Sequence, residues 1–131
     1  MINNKLLYIF IIFWLICLTG CDERRLELIQ DYSGLQLPGK YQILTNKTES
    51  EGFAGADFTV TIALKFDDNE FKKLVNNLEK IKKSTQYGQW IKVKNKYEFR
   101  SNPALLHSSG ETVEMDIDKT ENILKFQLIH I

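Results

Sequence analysis

Phe58-Thr59-Val60-Thr61-Ile62-Ala63-Leu64-Lys65-Phe66, followed at once by Asp67-Asp68-Asn69-Glu70-Phe71, decides the fold. Five large apolar residues, Phe58, Val60, Ile62, Leu64 and Phe66, alternate with Thr59, Thr61, Ala63 and Lys65. A period of two is the period of a strand, so one face of 58–66 is buried and the other is not. The period then changes. Phe71, Leu74, Val75, Leu78 and Ile81 recur at helical spacing and form one apolar stripe, with Lys72, Lys73, Lys80, Lys82 and Lys83 around it. Asp67 stands where an N-cap belongs, and Glu70 follows three residues later. The segment therefore predicts a half-buried strand leading directly into a capped amphipathic helix over about 68–83.

Working outward, residues 41–45 predict a strand and 47–55 a polar, glycine-bearing loop. Gly52-Phe53-Ala54-Gly55 lacks the Lys-Ser or Lys-Thr of a phosphate loop. Residues 90–99 read as one strand bent at Asn95, with Ile91, Val93, Tyr97 and Phe99 on a shared face. Lys92, Lys94, Lys96 and Arg100 then fall on one side of it, a solvated face or, with Trp90 as anchor, a patch for anionic lipid or an acidic partner. Residues 101–110 are a loop or short turn of helix around Pro103. Val113, Met115 and Ile117 alternate, a polar turn 118–122 follows, and Leu124, Phe126 and Leu128 alternate again, which predicts a hairpin. Asp22 to Gly34 predicts a short helix, acidic at its start and stopped by glycine. The order α-β-β-α-β-β-β makes an α+β domain: a mostly antiparallel sheet of about five strands, the 68–83 helix on one face, and a short N-terminal helix.

The chain of 131 residues opens differently from the rest. After Lys5, residues Leu6 to Leu18 carry no charge, and Leu18-Thr19-Gly20-Cys21 then meets Asp22-Glu23-Arg24-Arg25. A basic head, an apolar run of about 7–15 residues and small residues before a polar chain are the parts of an export signal. The run is short of the roughly 20 apolar residues that span a bilayer. Leu18, Thr19, Gly20 and Cys21 match the lipobox of bacterial lipoproteins at all four positions, and the leader resembles that family's. The resemblance implies that residues 1–20 are removed by lipoprotein signal peptidase and that a diacylglycerol is joined to the Cys21 sulfur. It also implies that the new amino group is acylated, palmitate being a typical chain. The protein is then anchored to the membrane through Cys21 and faces out of the cytoplasm. Asp22 resembles the signal that keeps such lipoproteins in the inner membrane, on its periplasmic side. Two or three acyl chains hold far more firmly than one, each buried CH₂ contributing about 0.8 kcal/mol.

Residues 21–131 form one ordinary domain. All but one of the 17 basic residues lie there, against 17 acidic ones, a balance of about −1 that recommends no nucleic acid. With Cys17 in the leader and Cys21 a thioether, the domain has no thiol for a disulfide and relies on apolar burial. Two histidines, His107 and His130, and no thiol offer no zinc set, and no cofactor motif is present. Asp116-x-Asp118 and Glu121 resemble the start of a calcium loop, but Glu121 and Gln127 stand where its glycine and last glutamate belong. No catalytic motif is found. The leading expectation is a binding or interaction module in the bacterial cell envelope, with an envelope protein as partner. The alternative is a small envelope hydrolase using His107 with Ser108, Ser109 and nearby acids. A concave site with converging polar groups would favour the second.

Overall fold

Asp67 caps its helix as its position predicts: the Glu70 N–H donates to the Asp67 carboxylate at 2.8 Å. In the computed structural model, which describes residues 4–52, 56–81, 87–102 and 110–131, this helix follows directly on the longest run of buried alternation. The elements in chain order are α1 (Asn4–Ser33), β1 (Gln42–Glu51), β2 (Asp57–Lys65), α2 (Asp68–Lys80), β3 (Gly88–Val93), β4 (Lys96–Ser101), β5 (Glu111–Asp118) and β6 (Ile123–His130). The fold is α+β.

All six strands form one antiparallel sheet in the order β1-β2-β6-β5-β4-β3. β1 and β2 make a hairpin. α2 then carries the chain to the far edge, and β3 to β6 return as a meander that sets β6 against β2. Val60, Ile62, Leu64, Trp90, Tyr97, Phe99, Val113, Met115, Ile117, Leu124, Phe126 and Leu128 all point to one face and are buried. Both helices cover that face. α1 contributes Leu26, Ile29 and Tyr32, and α2 contributes Phe71, Leu74 and Leu78. Burying one such side chain stabilises the fold by roughly 1.5–3 kcal/mol.

Four differences from the sequence reading have physical causes. Residues 90–99 are two strands, which raises the sheet to six. Lys94 adopts φ 47° in the turn between them. Across a two-residue turn, odd positions of one strand face with even positions of the next. Trp90 therefore lies opposite Phe99 and Lys92 opposite Tyr97, while Ile91 faces with Glu98. The shared face of Ile91, Val93, Tyr97 and Phe99 does not exist, and the row of Lys92, Lys94, Lys96 and Arg100 is dispersed. Trp90 is buried rather than a surface anchor, its Nε1 donating to the Ser33 carbonyl at 3.2 Å. β1 continues through residues 47–51, expected as loop, because an edge strand exposed along its length needs no apolar face. The N-terminal helix is not short. α1 runs unbroken from Asn4 and stops where expected, at Gly34 with φ 71°, whose N–H donates to the Gln30 carbonyl at 2.8 Å. α2 ends at Lys80; Lys82 and Lys83 lie outside the described residues.

Among the described side chains of α1, those in the core lie from Leu26 onward. Tyr8, Ile9, Ile11 and Ile12 are exposed. At about 100° per residue, Ile9 and Ile11 lie on nearly opposite sides of the helix, so no single face is offered. Among the described residues no helix is long and apolar enough to cross a membrane.

Candidate binding face

With both helices on one face, the other face of the sheet is left open among the described residues. Antiparallel register places its side chains in rows. One row runs Ala63, Lys125, Asp116, Glu98, and the next runs Thr61, Gln127, Glu114, Arg100. These rows line an open concavity of about 620 Å³, with Thr45 of β1 at its rim. Asp116 lies between Lys125 on one side and Glu98 on the other. Two carboxylates directly opposite each other are unfavourable for the sheet. Arg100 offsets this from the same strand, its Nη2 donating to Glu98 Oε2 at 3.0 Å. The face offers three carboxylates, two cations, an amide and hydroxyls, in reach of one another and of solvent. Such a floor holds a polar partner through charge and hydrogen bonds. No histidine or cysteine is among the described residues lining it.

A second cluster lies at one end of the sheet. The Tyr32 hydroxyl donates to Glu111 Oε2 at 3.4 Å, and Glu111 Oε1 lies 3.8 Å from His130 Nδ1. The His130 ring stacks on Phe58, with centroids 5.0 Å apart, and Tyr32 tilts against Tyr87 at 5.4 Å. Burial, and then the neighbouring Glu111 carboxylate, push the Tyr32 phenol up to about 12. The phenol stays protonated and acts as a donor that joins α1 to the sheet.

The residues singled out in the sequence fall as follows. Cys21 lies within α1. His107, Ser108 and Ser109, the basis of the hydrolase alternative, lie outside the described residues, as do Pro103 and 53–55. Asp116 is on the open face. Asp118 instead organises the β5–β6 turn, accepting from the Thr120 N–H at 2.8 Å. That backbone bond lowers its carboxyl below the usual range. The open face itself escaped the sequence reading. Its signal was the set of polar partners in each alternation, Thr61, Glu98, Arg100, Glu114, Asp116, Lys125 and Gln127, but only the strand order shows that they adjoin. Compared with protein-family models, curated proteins and solved structures, the chain finds no match in any of the three.

Proposed function

We propose that this chain is a bacterial lipoprotein whose folded body is a binding module held at a membrane surface outside the cytoplasm. Acyl chains on Cys21 form the anchor, and Asp22 directs it to the periplasmic side of the inner membrane. The observation that carries this reading is the division of α1. Before Cys21 its described apolar side chains are exposed on more than one side, whereas after Cys21 the first described side chain in the core is Leu26. A cut before Cys21 would keep every described core side chain and set the anchor about one turn ahead of Leu26. The peptidase needs its substrate extended, so the helix must unwind locally around Thr19 and Gly20. A glycine within a helix lowers that barrier by about 1 kcal/mol relative to alanine.

The open sheet face is the surface this module would present to an envelope partner. Its three carboxylates beside Arg100 and Lys125 suit a polar protein surface of mixed charge. The intact mass of the native protein tests the anchor: loss of residues 1–20 with a diacylglycerol on Cys21 is expected, and Cys21→Ser should keep its leader. An uncut leader with a free thiol at Cys21 would overturn it. For the face, Arg100→Glu combined with Lys125→Glu should lose whatever protein co-purifies with the lipidated form. Unchanged co-purification would exclude this face as the docking surface.

A further inference from the structure

β1 is a ten-residue edge strand with β2 on one side and, among the described residues, no strand on the other. Such an edge is normally blunted by charged side chains, a bulge or a cover. Here the register shift lies at Ile43/Thr45, and the charges beyond it are Lys47, Glu49 and Glu51. Lys47 and Glu49 stand on the open-face side and pair with each other at 2.8 Å, both more than half exposed. We infer that β1 is the dimerisation edge of this protein, pairing antiparallel with β1 of a second copy around Thr48.

The register follows from the charges. With Thr48 opposite Thr48 of the second copy, Lys47 meets Glu49, Glu49 meets Lys47, Asn46 meets Ser50 and Thr45 meets Glu51. Sliding one strand by two residues sets either Lys47 against Lys47 or Glu49 against Glu49, and like charges opposite each other are unfavourable. A pairing centred on one residue also satisfies the ladder whichever set of backbone groups points outward, because both strands then present the same set. On the helix-covered side, the Asn46 side-chain nitrogen is buried without a hydrogen-bond partner among the described residues. Its oxygen is taken by Arg25 Nη1 at 3.2 Å, which fixes the nitrogen as the orphan. The pairing places Ser50 of the second copy on the same face as Asn46 and opposite it. Arg25 also reaches the Asn46 carbonyl at 3.4 Å, and a carbonyl keeps a second lone pair for the ladder.

The symmetry suits a surface. The two-fold axis of an antiparallel strand pair is perpendicular to the sheet. Both helical layers therefore lie on one side and both open faces on the other. Arg25, which touches β1, is one turn along α1 from Cys21. If the anchor is as proposed, one membrane can hold both copies, and confinement there raises their effective concentration. The contact is isologous and consumes both β1 edges, so assembly stops at two.

The full chain, purified from membranes in detergent, should be a dimer by light scattering. Lys47→Glu and Glu49→Lys should each give monomer, and the double variant should restore the dimer. Both side chains are exposed, so circular dichroism should remain that of the parent. In a Cys17→Ser background, Thr48→Cys should cross-link between copies, its Cα atoms lying within disulfide range, and Ser50→Cys should not. A monomeric parent, dimeric single variants, or equal cross-linking at Thr48 and Ser50 would each overturn the inference. Because the readout is made in detergent, it stands apart from the mass of Cys21.

Discussion

Tyr32 shows how one side chain joins the two layers. It is buried, donates to Glu111 of β5 and packs on Tyr87. Its phenol is pushed up to about 12 in the folded chain, against an ordinary value of about 10. A group whose folded-state value is raised gives its full stabilisation below the unfolded value and loses it as pH climbs to the folded one. Stability from Tyr32 should therefore be complete below about pH 10 and fall between 10 and 12. Tyr32→Phe removes one hydrogen bond, worth about 1 kcal/mol near neutral pH. Denaturant titrations should show the gap between parent and variant shrinking across that window. A constant gap would mean that the phenol is not held by burial and Glu111. The partner of Tyr32 is 79 residues away and nothing local in the sequence points to it.

Among the elements, the β3–β4 hairpin best separates what is legible from what is not. A strand signal was plain across 90–99, yet the reversal was not, because Lys94-Asn95 lacks the glycine that usually announces a two-residue turn. One residue of register then moved Ile91 and Val93 to the open face and put Trp90 inside. Gly88, at the start of β3, carries the close approach in this hairpin. A Cβ there would stand 2.3 Å from the Arg100 carbonyl oxygen and 2.8 Å from Phe99 Cζ. Gly88→Ala should therefore destabilise the fold by about 1–3 kcal/mol, read as a lower denaturant midpoint. A neutral result would place β3 further from β4 than described. α2 is the opposite case: its cap and apolar stripe were both visible in sequence because each is local.

At the scale of the whole molecule, the described core side chains begin at Leu26, and Tyr8, Ile9, Ile11 and Ile12 near the start of α1 are exposed. A chain starting at Cys21 should match the full chain in denaturant midpoint to within about 0.5 kcal/mol. Ile29→Ala, by contrast, removes a fully buried side chain and should cost about 2–5 kcal/mol. If the shortened chain lost several kcal/mol, the first part of α1 would be structural rather than removable.

What the sequence determined by itself is whatever depends on near neighbours. The β2–α2 unit, the β5–β6 hairpin and the Gly34 stop are all of this kind. Periodicity and capping are set by residues a few positions apart, so they can be read along the chain. Only the tertiary structure decided which polar residues share a floor, because Glu98, Asp116 and Lys125 adjoin through strand order, not spacing. It also decided that a polar stretch such as 47–51 is a strand. An edge is stabilised by backbone pairing with β2, which leaves no apolar pattern to read.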